Sequence, residues 1–323
     1  MSCTFEDTII DEFGELDFNN FNVNYSFKSI FLCGGEVNST VHIPPSFRER
    51  LLRYTSNIDT NLHDSFVLAE TFKDYFKENT YTDLLVFEDD IAKISTLVVV
   101  LLESPGAMVE LGLFCTKPEL YKKLLIVAPQ EHVQNEDSFI FLGPLEYISK
   151  KEKSSVAIYP WPDPAILAYE NGNLEDLCLE INNKIESSNK TEKFNSKHSG
   201  HIALLICEII NICFPVILSD IEFALEALKI DVKQGHILRQ LYLLTKFNMI
   251  AVIPYGQSYK YYYPIDKDRK KVMFGRTKSG KVVDILKLRI SMAKSYFDST
   301  DPQAKRRQSV QKIIMKRLKG DDK

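Results

Sequence analysis

Apolar positions follow two rhythms along this chain. Between residues 27 and 150, short unbroken apolar runs alternate with stretches of helical period. Ser29–Cys33, Leu97–Leu102 and Lys123–Ala128 are such runs, bounded by Gly, Pro or polar residues as fully buried parallel strands are. Between them, Ser46 suits the N-cap of a helix reaching about Ser56. Asp83–Ser95 has a helical stripe of Leu84, Leu85, Phe87, Ile91 and Ile94, and a further helix runs from Pro105 to Phe114. Leu174–Ile185 is amphipathic, whereas Val67–Phe76 has mixed periodicity and no clear element; Glu70 there could approach a site. Strands alternating with helices predict an α/β fold with a doubly wound parallel sheet over residues 27–186. Ser187 to His198 is polar, which sets a linker at 187–197. Residues 198–323 are mostly helical: His201–Phe214, Asp220–Leu228 capped by Ser219, and Lys233–Phe247 with Ile237, Leu241 and Leu244 inward. Met249–Tyr255 and Tyr259–Ile265 then read as a hairpin turning at Gly256–Ser258. The first 26 residues are acidic and Asn-rich, and are expected to form a flexible or peripheral arm.

The run Leu97–Phe114 (LVVVLLESPGAMVELGLF) concentrates the candidate chemistry. Its strand ends at Glu103; Ser104 can cap the next helix, Pro105 suits its first position, and Gly106 lets a backbone approach a ligand. Glu110 follows about two turns on, among Met108, Val109, Leu111, Leu113 and Phe114, unlike a solvated helix face. Ligands of open α/β sheets bind at the carboxyl ends of strands, so two carboxylates beside this turn can do nucleophilic or acid/base work. Gly34-Gly35 after the first strand permits positive φ and close approach of a ligand, although a simple turn explains it as well. Glu88-Asp89-Asp90 cannot all face one way at helical spacing.

The string Gly106-x-x-x-Glu110-Leu111-Gly112 resembles the signature of nucleoside deoxyribosyltransferase-like enzymes, whose glutamate attacks the anomeric carbon of a (deoxy)ribose. The longer string Glu103–Phe114 is similar to effector proteins of bacterial retrons that carry this domain, as are Ile30–Gly35, Leu85–Asp90 and Ser138–Pro144. The resemblance covers residues 27 to 150 well and the rest in outline. It implies Glu110 as nucleophile, Glu88 as the inward acid of its triplet, and Glu103 as a partner orienting sugar or base. Cys33, Gly34, Gly35, Ser104, Gly106 and Met108 would line the substrate. Ala107 stands where transferases of the family usually have Thr or Ser, so transfer chemistry does not follow automatically.

Composition narrows the partners. A chain of 323 residues accommodates two ordinary domains, and 45% hydrophobic with 26% charged residues is incompatible with general disorder. The longest aliphatic run is too short to span a bilayer, and the acidic N-terminus lacks the pattern of a secretory signal. Six scattered cysteines without a C-x-x-C pair suggest free thiols in a reducing cytoplasm. No metal site is expected, because His198 and His201 lack a completing Cys or acid. Residues 1–197 hold 17 Lys+Arg against 32 Asp+Glu, and residues 198–323 hold 23 against 12. The basic half is therefore the one suited to a polyanion.

Three helices followed by a hairpin resemble a winged helix-turn-helix, whose third helix enters the major groove. The expected groove face is Lys233, Gln234, His236, Arg239 and Gln240, with Tyr259–Tyr263 and Lys260 as the wing. Arg269, Lys270 and Lys271, with Lys305-Arg306-Arg307 and Lys316-Arg317, would add phosphate contacts. The combined expectation is a retron effector cleaving an N-glycosidic bond, with a nucleotide or NAD as substrate and no cofactor. Its partners would be the retron reverse transcriptase and its multicopy single-stranded DNA–RNA hybrid, and a homo-oligomer is compatible with the sequence. The competing expectation is a non-enzymatic DNA-binding regulator whose α/β domain senses a nucleotide.

Overall fold

The structure is a computed structural model. It describes residues 4–25, 27–72, 80–131, 141–163, 165–265, 271–297 and 299–319. Its contacts divide the chain into two units, residues 27–189 and residues 1–26 together with 190–323.

The N-terminal segment is not a free arm. It forms helix α1 (Phe5–Gly14) and strand β1 (Asn22–Asn24). Phe5, Ile9 and Phe13 recur at helical spacing and are buried, while Glu6, Asp7, Asp11 and Glu12 occupy other faces. A capping box between Thr4 and Asp7 starts the helix. The abundance of acids in this segment hides an ordinary amphipathic stripe.

The 27–189 unit runs β2 (Ile30–Cys33), α2 (Phe47–Ile58), α3 (Thr60–His63), β3 (Phe66–Val67), α4 (Leu84–Ile94), β4 (Leu97–Leu101), α5 (Pro105–Cys115), β5 (Leu124–Pro129), α6 (Glu146–Lys151), β6 (Val156–Tyr159) and α7 (Asn171–Ser187). Its five strands are parallel in the order β3-β2-β4-β5-β6. Alternation along each strand sorts side chains onto two faces. Ile30, Leu32, Leu97, Val99, Leu101, Leu125 and Val127 share a core with Phe47, Leu51 and Leu52 of α2 and Leu174, Leu177 and Ile181 of α7. Phe31, of opposite parity, meets Phe114 of α5 at 6.3 Å between ring centroids. Helices therefore cover both faces, which is why β4 and β5 are apolar at every position.

Two features of α4 differ from the expectation. Leu84 and Leu85 are 44% and 48% exposed, because the buried side is centred on Phe87, Glu88, Ile91 and Ile94. Two of the three consecutive acids are buried rather than one: Glu88, and Asp90, which accepts a hydrogen bond from Tyr81 at 2.9 Å. Asp89 pairs with Lys93 and Lys117.

The other unit continues with β7 (Thr191–Lys193), α8 (Ser199–Cys213), α9 (Leu218–Ala227), α10 (Gln234–Lys246), the hairpin β8 (Ile250–Tyr255) and β9 (Tyr259–Pro264), β10 (Val272–Met273), α11 (Ile285–Phe297) and α12 (Pro302–Lys319). The expected linker at 187–197 thus contains a strand, and β1 lies between β10 and β7 in an antiparallel sheet. Helix α8 is apolar on most sides and is buried along its length. Ser219 is not the cap of α9; the helix starts one residue earlier, and Asp220 accepts from the Ile217 N–H at 2.7 Å. None of Cys33, Cys115, Cys178, Cys207 and Cys213 is in a disulfide, and no described helix is long and apolar enough to cross a membrane.

Arg307, expected among the phosphate-facing cations of the tail, is internal. It is 4% exposed and pairs with Asp220 through two bonds of 3.0 and 3.2 Å. It also donates to the Pro215 carbonyl and lies 3.6 Å above the Phe5 ring. One guanidinium thereby joins α12 to α9 and α1. Removing either partner leaves the other charge buried, at a cost of about 3–5 kcal/mol. Asp220→Ala should lower the stability of the full chain by that order in urea unfolding. Asp220→Leu combined with Arg307→Met should recover most of the loss.

Candidate active site

In the 27–189 sheet, the chain leaves β2 toward β3 on one side, and leaves β4 toward β5 and β6 on the other. Such a switch point opens a crevice outside the carboxyl ends of the two central strands, where ligands of open α/β sheets bind. Cys33 ends β2, Glu103 follows β4, and Glu110 lies on α5 directly after it.

Strand parity turns Cys33 to the same face as Phe31, the α5 side. Its buried thiol lies beside the Glu110 carboxylate, and the two groups interact. Burial, and then the acids Glu110 and Glu88, push the Cys33 thiol well above its ordinary range, so it stays neutral. Glu110 is half-buried. Burial first, and the neighbouring charge of Glu88 second, push its carboxyl up to about 7, while Cys33 and the charge of Arg48 oppose the rise. Glu88, 8% exposed, is also raised, by burial and then by Glu70.

Arg48 completes the group, and sequence reasoning missed it. Its guanidinium reaches Glu70 through Nη2–Oε1 at 2.5 Å and Nη1–Oε2 at 3.3 Å, and Nη1 donates to the Leu32 carbonyl at 3.3 Å. A signal existed: a cation in the first turn of a helix opposes the helix dipole and therefore points to a specific partner. Among the described residues, the acids Glu70, Glu88 and Glu110 interact with one another and with this arginine around the switch point.

Glu103, expected to orient sugar or base, is occupied by the backbone. Its carboxylate accepts from the N–H groups of Gly35 at 2.8 Å, Phe47 at 2.6 Å and Arg48 at 3.0 Å. It caps α2 together with Ser46, whose hydroxyl accepts from Glu49 N–H. The glycines are also explained by packing. A Cβ on Gly34 would lie 3.0 Å from Glu103 Oε1 and 3.1 Å from Arg48 Cβ; on Gly35 it would lie 2.7 Å from Ser46 Cβ. Neither glycine has positive φ. Close approach of protein to protein therefore requires both glycines whether or not a ligand also lies against them. The Ser104 hydroxyl accepts from Ala107 N–H and donates to the Gly34 carbonyl at 3.0 Å, tying α5 to the end of β2. Gly106 is exposed and Met108 half-buried on the first two turns of α5. Of Ser138–Pro144, residues 138–140 lie outside the described residues and the remainder falls in the helical turn Phe141–Leu145.

The expected nucleic-acid residues of the other unit fare unevenly. Lys233 and Lys260 are exposed, and Arg239 is half-buried. Gln240 is fully buried, facing the core rather than a groove. Tyr259 is exposed, but Tyr261, Tyr262 and Tyr263 are buried. Lys271 is 4% exposed, and its N–H donates to buried Glu208 at 2.7 Å. Arg269 and Lys270 lie outside the described residues. Among the described residues no group of three His, Cys, Asp or Glu side chains could hold a metal ion.

The family model described as STM3845 retron effector protein matches residues 44–252, which span α2 to β8 and include every acid of the crevice. The chain belongs to this retron effector family. Two Escherichia coli relatives carry related names. "Retron Ec73 putative ribosyltransferase/DNA-binding protein" is 34% identical over 131 residues, 40% of each chain. "Retron Ec86 putative ribosyltransferase/DNA-binding protein" is 29% identical over 187 residues, 55% of each chain. The match thus spans about half or less of these relatives.

The geometry of this retron effector separates two glutamates of the same short stretch. A carboxyl whose folded pKa is raised stabilises the fold only while protonated. For Glu110 that contribution is complete below its ordinary value of 4.5 and lost as pH rises through about 7. Glu110→Gln should therefore be more stable than the parent at pH 8, by on the order of 2 kcal/mol, and equal to it near pH 4. Glu103→Gln should be destabilised by about 2 kcal/mol or more, because an amide sets N–H against backbone N–H. Urea unfolding at both pH values checks the pair.

Proposed function

We propose that this retron effector breaks an N-glycosidic bond of a nucleotide or of NAD, with Glu110 as nucleophile. The observation that carries this reading is Glu110 itself, a half-buried carboxylate at the switch point whose pKa is raised by burial and then by Glu88, against the opposing effects of Cys33 and Arg48. A glycosidic bond breaks through an oxocarbenium-like sugar, with positive charge developing at the anomeric carbon. A crevice that gathers Glu70, Glu88 and Glu110 around Arg48 is suited to that charge. The Glu110 carboxylate attacks the anomeric carbon from one face as the carbon–nitrogen electron pair leaves with the base. Where the departing nitrogen needs a proton, Glu88 supplies it, since burial keeps its carboxyl raised. Water then attacks the same carbon and frees Glu110, its proton going to Glu88 where Glu88 protonated the base and to solvent where the base left neutral. The acids thus share nucleophilic and proton-transfer work, and Cys33 keeps the nucleophile oriented. The chain would act as a toxin-like component of an anti-phage retron, held in check or released by the reverse transcriptase and its DNA–RNA hybrid.

The names of the two relatives join ribosyl transfer to DNA binding, which agrees with a nucleic-acid role for the second unit. In that reading, α8, α9 and α10 with the β8–β9 hairpin work as a winged helix, and exposed Lys233 and Lys260 contact phosphates.

Product analysis of the purified full chain with a panel of nucleotides and NAD tests the chemistry. Base release is expected to rise with pH through about 7 and level off above it, because the nucleophile must be ionised. Glu110→Gln should lower kcat by roughly a thousandfold or more without loss of fold. Near-normal turnover in that variant would remove Glu110 from the mechanism. For the second unit, full-chain affinity for duplex DNA should fall steeply with salt. Lys233→Gln with Lys260→Gln should reduce the slope of log K against log salt by about 1.8, or roughly 0.9 per phosphate contact. An unchanged slope would assign that surface to protein contacts.

A further inference from the structure

Glu70 has no part in the chemistry above, yet it belongs to the same crevice. It lies in the single helical turn Ala69–Phe72, three residues beyond β3, the strand that flanks β2 on the side away from β4. Its charge acts on both Glu88 and Glu110. The ion pair that holds it is lopsided: Arg48 is 4% exposed while the Glu70 side chain is 49% exposed. Arg48 is buried and its Nη1 also donates to the Leu32 carbonyl at 3.3 Å, so the guanidinium is held by the end of β2 while its fork grips Glu70.

A carboxylate has about four lone-pair sites, and the Arg48 fork uses two of them. The remaining two are held in a set direction at the solvent side, one on each oxygen. Two acceptors about 2.2 Å apart on a rigid group match two adjacent hydroxyl donors, the arrangement of a ribose cis-diol. An acid beyond the strand next to the glycine turn makes this type of sugar contact in dinucleotide-binding sheets.

We propose that Glu70, held by Arg48, accepts hydrogen bonds from the vicinal 2′- and 3′-hydroxyls of the substrate sugar, so that the site selects ribose over 2′-deoxyribose. The proposal rests on the crevice being the glycosidic site, and it adds the sugar class to that reading. Glu70 is a specificity residue here and takes no part in bond breaking.

The test uses the full chain carrying Glu110→Gln, so that ligands persist, and matched probes. The probes are the four ribonucleoside monophosphates with their 2′-deoxy counterparts, and NAD with its analogue lacking the 2′-hydroxyl on the nicotinamide ribose. The ribose member of the pair that binds best should bind about tenfold or more tightly than its partner. Glu70→Gln and Glu70→Asp, which leave Arg48 a hydrogen-bond partner, should reduce that ratio to within about twofold while thermal melting stays close to the parent. Equal affinity for both members, a ratio that survives both substitutions, or no binding of any pair overturns the proposal. Base release by the unsubstituted chain is followed in parallel. Glu70-dependent ribose preference without base release would sink the glycosidic reading alone. Base release without ribose preference would sink this one alone.

Discussion

Three backbone N–H groups converge on the carboxylate of Glu103, and the candidate site is built outward from that junction. The donors come from the turn after β2 and from the first turn of α2, while the acceptor comes from the end of β4. The two central strands and one helix are thus fixed at their ends by one side chain. Helix α2 then distributes the effect through three arginines. Arg48 holds Glu70. Arg50 donates to the carbonyls of Asp163, Ile166 and Leu167. Arg53, braced by Glu49, donates to those of Asn38, Val41 and His42. Loops following β2, β3 and β6 are therefore anchored to one rigid element, as a preorganised site requires.

What was legible in the sequence followed from local physics. The strands of β2, β4 and β5 were visible because both their faces are covered, leaving no polar alternation to confuse the reading. Helices α2, α7 and α10 and the β8–β9 hairpin kept their periods and turn residues. Strands β1, β3, β6, β7 and β10 were not seen; they are two to four residues long, too short to show a period. The acidic N-terminus reads as an arm because its net charge masks the Phe5, Ile9, Phe13 stripe. Glu110 and Glu88 stood out as acids in apolar company. Arg48 and the true role of Glu103 did not, since both depend on partners that only the folded chain brings together. The closeness of Gly34-Gly35 to the protein's own Glu103 was hidden for the same reason.

The division into units also revises the charge pattern. Residues 1–26 carry six acids and no Lys or Arg, yet they belong with the basic C-terminal portion. That unit holds 26 Lys+Arg against 19 Asp+Glu, and the 27–189 unit holds 14 against 25. The contrast remains but is milder than a cut at residue 197 suggests. Two of the cations expected at the surface, Lys271 and Arg307, are internal. The positive charge of this unit is then concentrated on particular faces, such as those of Lys233 and Lys260, rather than spread as a long-range field.

A unit assembled from both ends of a chain imposes an order on its own birth. During synthesis, β1 emerges early but has no partner until β7 and β10 follow it, and Phe5 waits some three hundred residues for the guanidinium of Arg307. The intervening 27–189 segment contains all of its own strands and can fold on the ribosome first. The other unit, whose strands lie on both sides of that segment in the sequence, can close only after its last strand has emerged, so the crevice of Glu110 can be complete while that unit still lacks β7 and β10.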